Sequence, residues 1–278
     1  MPHIETNDGH ICHTIDVGSG APILLLHGSA GAGAGWAAVI QHLLPENRVL
    51  APDFRGYGQS EPWPRGASLG PEDDLASVEA LFERAAEPVH LVGHSYGGAV
   101  ALQAAKRHPA RIASLSLIEP AAFQLLRYHE DTELWQEIVM LARRHIDFVD
   151  QNRDADAASA FVSYWTSPSV WRQLSVPARE MITRGMPRVA AEWRLMFETA
   201  NDGAEIGEIR VPTLLLSGSR TTAAARRVVE LLQTALPDTD RVQIEGAGHM
   251  SPHTHAAILA DQLREHFVAV AERLGWAA

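Results

Sequence analysis

Short apolar runs that do not alternate with polar residues recur along this chain, and glycine, proline or other turn-forming residues bound each of them. Such runs are typical of strands that are buried on both faces, as in a parallel sheet. The first 20 residues instead alternate weakly, with turns at 7–9 and 18–20, which predicts a hairpin at the edge of the sheet. The predicted buried strands are 22–26, 48–51, 89–92, 112–118, 211–216 and 241–244.

Helix-length segments separate these runs. Proline suits the first turn of a helix, so Pro71 and Pro252 mark two helix starts, and Ser251 is predicted to cap the second of them. Strand–helix alternation at this spacing predicts an α/β fold, with a mostly parallel, twisted sheet flanked by helices on both faces. The predicted helices are 36–44, a stretch after Pro71, 96–108, 223–236 and 252–274.

Residues 120–209 break this rhythm because they contain helical patterns and no strand-like run. They include four of the seven tryptophans and four of the six methionines. We therefore predict a helical cap over 120–209, inserted after the sixth strand, on a core made of 1–119 and 210–278. The alternative for the aromatic residues and methionines is that they only pack the interior of the insertion itself.

The segment Gly-His-Ser-Tyr-Gly at 93–97 fits the pattern G-x-S-x-G and lies directly between a predicted strand and a predicted helix. A sharp strand-to-helix turn lifts the serine hydroxyl clear of its neighbours. Glycine at 93 and 97 leaves room where a Cβ would clash. We therefore predict that Ser95 is a nucleophile; the alternative is an ordinary turn without chemistry.

A second glycine-containing loop, 27–31, follows the first buried strand of the predicted sheet. It is expected to bring the backbone N–H of Ser29 beside the serine turn. Together with the N–H of Tyr96, this group would form an oxyanion hole with two donors.

The chain contains 14 histidines, so a general base has to be chosen by position. His249 lies between the last predicted strand and the last helix, at the sheet edge where the carboxyl ends of parallel strands meet. We predict His249 as the base. The pairs His10/His13 and His253/His255 lack further ligands at suitable spacing, so neither a metal site nor a cofactor is expected.

The charge balance excludes some partners. Lys and Arg number 23 and Asp and Glu number 34, so the net charge is 23 − 34 = −11. Such a chain has no electrostatic footprint for nucleic acid or an anionic membrane. A single cysteine forms no internal disulfide. The chain shows no signal-peptide pattern and no apolar run of membrane-spanning length, so we expect a cytoplasmic location.

Four motifs in order resemble the α/β-hydrolase superfamily: 27–28 (His-Gly), 52–60 (PDFRGYGQS), 93–97 and 248–249 (Gly-His). The resemblance covers almost the whole chain outside 120–209. It implies the α/β-hydrolase fold and a serine, an acid and a histidine in that chain order. Serine at the turn argues against dehalogenases and epoxide hydrolases, whose attacking group is a carboxylate.

The acid departs from the pattern that the resemblance implies. In most members an aspartate follows the strand that corresponds to 211–216, but here the segment 217–222 reads Ser-Gly-Ser-Arg-Thr-Thr. A threonine stands where that aspartate would be, and the nearest later carboxylate, Glu230, lies in the middle of a predicted helix.

Glu119 closes the preceding strand, and some members of the superfamily carry their acid at this strand end. Because neighbouring strands are about 4.8 Å apart, this position approaches the same histidine from a slightly different side. We predict that Glu119 orients His249. The alternative is a structural glutamate, with His249 held by a backbone carbonyl or water.

The predicted activity is that of a serine hydrolase that cleaves small to medium hydrophobic carboxylic esters, with Ser95 as nucleophile, His249 as base and Ser29 and Tyr96 as oxyanion donors. A carbon–carbon bond hydrolase of diketones or ring-cleavage products uses the same residue types and stays open. So does a ligand-binding receptor on a hydrolase scaffold. The expected partner is a small-molecule substrate, and the expected state is a monomer or a homodimer.

Overall fold

A computed structural model describes residues 3–7, 9–44, 46–199 and 205–275 of the chain. Within these residues, eight strands form a single sheet with the order β1-β2-β4-β3-β5-β6-β7-β8. The strands are β1 (His3–Glu5), β2 (Ile11–Gly18), β3 (Ala21–Leu26), β4 (Asn47–Pro52), β5 (Val89–His94), β6 (Ile112–Ile118), β7 (Thr213–Gly218) and β8 (Thr239–Ile244).

Six strands of this sheet, β3 to β8, run parallel to one another. β2 pairs antiparallel with both β1 and β4, so the predicted hairpin lies at the sheet edge. Its first turn includes Asp8, which lies outside the described residues. The prediction of a mostly parallel sheet is confirmed, and strand ends differ from the predicted ones by at most two residues.

Helices fill the connections between the strands. They are α1 (Ala37–Leu43), α2 (Asp73–Ala85), α3 (Tyr96–Arg107), α4 (Gln124–Tyr128), α5 (Thr132–Asp150), α6 (Asp154–Trp165), α7 (Pro168–Gln173), α8 (Val176–Glu198), α9 (Ala223–Ala235), α10 (Ser251–Thr254) and α11 (Ala256–Leu274). Helices α4 to α8 all lie between β6 and β7 in the chain, where the sequence pattern predicts an insertion.

The sheet is buried on both faces, which explains its unbroken apolar runs. Along β3, Leu24 and Leu26 belong to one apolar cluster, whereas Ile23 and Leu25 belong to another. Successive side chains of a strand point to opposite faces, so each cluster occupies one face. The first cluster includes side chains of α2, α3, α9 and the segment 120–199, and the second includes side chains of α1 and α11.

The described parts of the segment 120–209 consist of helices joined by short loops, with no strand in 120–199 or 205–209. Its residues 200–204 lie outside the described part of the chain. Ile138 and Met186 of this segment are fully buried within the first apolar cluster, so the helices pack against the side of the sheet that carries α3. That the segment 120–209 forms a separate cap domain stays a prediction.

The predicted helix start at Pro71 is wrong, whereas Pro252 lies in the first turn of α10 as predicted. The helix after Pro71 begins at Asp73, because Pro71 lies in a preceding turn. The Asp73 carboxylate accepts a hydrogen bond from the Gly70 N–H at 2.6 Å and closes that turn. This side-chain bond to the backbone competes with helix formation at the two residues in between.

The predicted helix 252–274 is two helices, α10 and α11, separated at His255, whose φ of −134° and ψ of 36° are not helical. The Thr254 hydroxyl donates to the Met250 carbonyl, four residues earlier, at 3.2 Å, a local bond of the kind that bends helices. Ser251 is the first residue of α10 rather than its cap, and its hydroxyl has no partner among the described residues.

None of the helices described by the structure combines the length and the hydrophobicity that a membrane crossing requires.

Candidate active site

Ser95 occupies the bend between β5 and α3, with a φ of 53° and a ψ of −117°. Such a positive φ is strained for a residue with a Cβ, so the surroundings must hold it in place. The Ser95 N–H donates to the Ile118 carbonyl at 3.0 Å. A Cβ on Gly93 would lie 2.4 Å from the Gly97 carbonyl oxygen, and a Cβ on Gly97 would lie 2.4 Å from that of Leu26. Glycine is therefore required on both sides of the bend.

His249 follows β8, and its Nε2 lies 3.1 Å from the Ser95 Oγ. The Nε2–H of His94 donates to the backbone carbonyl of His249 at 2.9 Å. Burial, reinforced by the neighbouring His249, lowers the pKa of His94 well below its ordinary value, so His94 is a neutral donor. The Trp165 ring stacks on the His249 ring with centroids 4.2 Å apart. Both the backbone and the ring of His249 are thus held in position.

Glu119 directly follows β6, is completely buried and has a φ of 44°. Its Oε2 lies 2.7 Å from the His249 Nδ1. Two further donors reach this carboxylate: the Gly218 N–H at 2.8 Å and the Thr221 hydroxyl at 2.5 Å. The structure therefore brings the three side chains predicted from the sequence, Ser95, His249 and Glu119, into one continuous hydrogen-bonded chain.

The environment of Glu119 favours its ionised form. Burial is the largest influence and opposes ionisation, but the hydrogen bonds and charge of His249, with those of Gly218 and Thr221, outweigh it and lower the pKa of Glu119 below its ordinary value. A carboxylate at this position accepts the Nδ1–H of His249 and so leaves the lone pair of Nε2 facing Ser95. Thr221 lies in the segment 217–222 that lacks the expected aspartate, and it supports the carboxylate on the neighbouring strand instead.

Ser29 and Tyr96 line the same cavity as Ser95. Gly28 brings the first loop close, since a Cβ on Gly28 would lie 3.1 Å from the Ser95 Cβ. Tyr96 is the first residue of α3, where backbone N–H groups are free of helical partners. Both loops predicted to supply oxyanion donors therefore converge at Ser95.

The cavity has a volume of about 100 Å³ and lies between α3 and the helices of the segment 120–199. Its lining is mostly apolar, and it includes two of the four tryptophans of that segment, Trp165 and Trp193, together with Phe161 and Met196. These residues serve both alternatives weighed from the sequence, because they line the cavity and also belong to the apolar core.

A buried group of charged and phenolic side chains borders this cavity, and the sequence patterns did not reveal it. We call it the charged cluster: Tyr57, Asp74, Tyr96, Arg188 and Glu192. The Arg188 guanidinium is ion-paired with Asp74 and lies 3.4 Å from the Glu192 carboxylate. The hydroxyls of Tyr57 and Tyr96 donate to Glu192 at 2.7 Å and to Asp74 at 2.5 Å, respectively.

Burial raises the pKa of Glu192 to about 7, although Arg188 and the neighbouring hydroxyls of Ser29 and Tyr57 favour the ionised form. The members of the cluster are up to 135 positions apart in the chain. The one local signal is the spacing of Arg188 and Glu192, which are four residues apart on α8 and so share a helix face.

Among the residues that the structure describes, no group of three or more His, Cys, Asp and Glu side chains is arranged to hold a metal ion. His10 and His13, one of the pairs considered from the sequence, instead contact carboxylates: His10 lies 3.0 Å from Glu61 and His13 lies 3.1 Å from Asp53.

Comparison with known proteins agrees with this architecture. The family model described as the alpha/beta hydrolase fold matches residues 21–256. The chain therefore belongs to the α/β-hydrolase fold family. The resemblance inferred from the four sequence motifs is thereby confirmed.

Two curated relatives cover most of the chain. A 2-hydroxy-6-oxo-2,4-heptadienoate hydrolase of Pseudomonas putida is 29% identical over 73% of this chain and 73% of its own length. A pimeloyl-[acyl-carrier protein] methyl ester esterase of Chromobacterium violaceum is 27% identical over 90% of this chain and 95% of its own length. The structure of a thermophilic esterase from Thermogutta terrifontis, 24% identical, superposes with a TM-score of 0.76 over 96% of this chain and 98% of that one, which shows the shared fold.

Proposed function

We propose that this protein is a serine hydrolase that cleaves a small to medium hydrophobic carboxylic ester through an acyl-enzyme intermediate. The observation that carries the proposal is the chain of hydrogen bonds from Glu119 through His249 to Ser95, with heavy-atom distances of 2.7 and 3.1 Å. These distances are within the reach that proton transfer between a nucleophile and its base requires.

Acylation uses His249 first as a base and then as an acid. His249 Nε2 accepts the Ser95 proton while the Ser95 oxygen attacks the ester carbonyl carbon. The carbonyl oxygen becomes an oxyanion and takes hydrogen bonds from the N–H groups of Ser29 and Tyr96. The imidazolium, stabilised by Glu119, then gives its proton to the departing alkoxide, which leaves as the alcohol.

Deacylation repeats the sequence with water. His249 accepts a proton from a water molecule, whose oxygen attacks the acyl carbon on Ser95. The same N–H groups hold the second oxyanion, and its collapse releases the carboxylic acid as Ser95 regains its proton from His249. No step needs a metal or a cofactor.

The cavity and one relative support an ester of modest size. A volume of about 100 Å³ with an apolar, aromatic lining suits a short hydrophobic acyl chain. The relative matched over nearly its whole length carries the name of a methyl ester esterase. The same hydrogen-bonded chain gives no reason to prefer the alternative of a receptor without catalytic activity.

Carbon–carbon bond hydrolysis is the second candidate, because the Pseudomonas putida relative carries the name of such a dienoate hydrolase. Two carboxylates, Asp74 and Glu192, line the cavity beside Ser95. They would repel the carboxylate of a dienoate, and for this reason we place ester hydrolysis first. Loss of the absorbance of 2-hydroxy-6-oxo-2,4-heptadienoate on addition of the protein would reverse this order.

Hydrolysis of 4-nitrophenyl esters from acetate to octanoate tests the proposal. We expect the purified protein to hydrolyse the shorter esters, and Ser95→Ala to lower kcat/KM by at least about 10³-fold while the circular dichroism spectrum stays unchanged. Equal rates in the two proteins, or no hydrolysis of any ester by the native protein, would contradict it.

A further inference from the structure

Two carboxylates of the charged cluster, Asp74 and Glu192, line the cavity that contains Ser95. Their side chains are 3% and 5% exposed, respectively. One oxygen of each, Asp74 Oδ1 and Glu192 Oε2, has no hydrogen-bond partner among the described residues. Buried polar atoms without partners are rare in native proteins, because leaving them unpaired costs free energy. Both oxygens belong to side chains that line the cavity, which makes a bound molecule a candidate partner for them.

The two carboxylates of the charged cluster line the cavity, but its guanidinium does not. Within the part of the chain that the structure describes, Arg188 is not among the residues that line the cavity, although it pairs with both carboxylates. One guanidinium faces two carboxylates, so the cluster has a net charge of −1 when both are ionised. A ligand that enters the cavity therefore finds hydrogen-bond acceptors and negative charge.

The cluster is also directly connected to the reaction centre. Tyr96, which follows the nucleophile, donates its hydroxyl to Asp74. The hydroxyl of Ser29 neighbours Glu192 and lowers its pKa. The two residues proposed to bind the oxyanion through their backbone thus contact the two carboxylates through their side chains. A substrate whose carbonyl lies at Ser95 would carry its next polar group to this wall.

We infer that Asp74 and Glu192 form a substrate-recognition subsite for an uncharged hydroxyl group, so that the preferred substrate is a hydroxy-substituted ester. This inference rests on the proposed ester hydrolysis and specifies its substrate class. A hydroxyl donates to a carboxylate oxygen and also accepts from a protonated carboxyl group. It therefore satisfies Glu192 whether this buried side chain is ionised or protonated. An ammonium group only donates, and a carboxylate only accepts.

Methyl esters of matched five-carbon acids test this inference in the native protein. Rates of acid release are compared for pentanoate, 3-hydroxypentanoate, 5-hydroxypentanoate, 5-aminopentanoate and monomethyl glutarate. Propyl and 3-hydroxypropyl pentanoate place the hydroxyl on the alcohol side. We expect kcat/KM to be at least about tenfold higher for one of the hydroxy esters than for its unsubstituted counterpart, and lower by about the same factor for the glutarate.

Variants of Glu192 distinguish recognition from a structural role. Glu192→Leu should abolish the hydroxyl preference, because it removes the acceptor. Glu192→Gln should keep that preference within about threefold but weaken the discrimination against monomethyl glutarate by about tenfold, because an amide is uncharged. Arg194→Gln on the same helix is the matched control: its side chain pairs with Asp150 at the surface, and both ratios should stay within about threefold. If Glu192→Leu does not fold, the discrimination against monomethyl glutarate in Glu192→Gln alone decides between recognition and a structural role.

Three results would overturn the inference: no hydroxyl preference in the native protein, a stronger preference for the amino ester, or an equal loss for every ester in the Glu192 variants. Binding to Ser95→Ala separates this inference from the proposed function. The dissociation constants of the same esters, measured by calorimetry, should keep the hydroxyl preference even if the native protein hydrolyses none of them. Equal affinities would contradict the subsite alone.

Discussion

Two buried glutamates near Ser95, Glu119 and Glu192, differ in what surrounds them. Glu119 is contacted by three donors, from His249, Gly218 and Thr221, and its pKa is lowered despite complete burial. Glu192 accepts a hydrogen bond from the Tyr57 hydroxyl and lies near the Ser29 hydroxyl and, at 3.4 Å, the Arg188 guanidinium. Burial nevertheless raises its pKa to about 7.

The comparison shows that burial alone does not determine how a carboxyl group ionises. Burial alone would raise the pKa of both glutamates. Hydrogen bonds and neighbouring charges outweigh this effect at Glu119 but not at Glu192. Glu119 is consequently suited to be a permanent anion that orients an imidazole. Glu192 is suited to exchange a proton and hydrogen bonds with whatever enters the cavity.

The largest expected effect comes from neutralising the first glutamate. Glu119→Gln should lower kcat by about 10³–10⁴-fold with the fold retained, because an amide in its place favours the wrong tautomer of His249. Steady-state hydrolysis of a 4-nitrophenyl ester measures this effect. Glu230→Gln is the matched control, since Glu230 pairs, among the residues that the structure describes, with Arg227 and Arg241 near the surface of α9. A near-native rate for Glu119→Gln would remove Glu119 from the catalytic group.

The second glutamate should affect the pH dependence of stability. The folded-state pKa of Glu192 is about 7, above its unfolded value, so its contribution to stability is present below the unfolded pKa and is lost as pH rises through 7. Relative to Glu192→Gln, the native protein should therefore lose about 2 kcal/mol of unfolding free energy between pH 5 and pH 8. Urea titrations of both proteins at the two pH values measure this difference. A constant difference would show that Glu192 does not titrate in this range.

The smallest of these effects concerns a donor to Glu119. Thr221→Val removes the hydroxyl bond and should lower kcat by about tenfold, because the remaining donors stabilise the carboxylate less well. Thr221→Ser should restore the rate to within about threefold, which a purely steric role of the threonine would not predict. The adjacent Thr222→Val is the control. Thr222 caps α9 through the Ala225 N–H, so its loss should lower thermal stability but leave kcat unchanged.

Local pattern and sheet geometry are sufficient to predict the side chains at the carboxyl edge of the sheet. Parallel strands share one carboxyl edge, so Ser95 after β5, Glu119 after β6 and His249 after β8 had to lie near one another once the sheet was predicted. In the structure, His249 lies 2.7 Å from Glu119 and 3.1 Å from Ser95, within hydrogen-bond distance of both. Their catalytic roles remain part of the proposal.

The features that were not predicted depend on contacts between distant segments. The charged cluster joins the loop after β4, α2, α3 and α8, and no motif marks residues so far apart in the chain. No proline or glycine at 253–257 marks the break at His255. The stacking of Trp165 on His249 requires knowing where α6 lies, although the excess of tryptophan in 120–209 pointed toward this region.

Reaction with a fluorophosphonate tests the central claim most directly, because such a reagent phosphonylates a serine rapidly when a base removes the serine proton, and an unactivated serine only very slowly. Peptide mapping by mass spectrometry should find a single adduct on the peptide that contains Ser95, formed within minutes in the native protein and absent from Ser95→Ala. A native, folded protein that stays unlabelled, or that is labelled at another residue, would contradict the account.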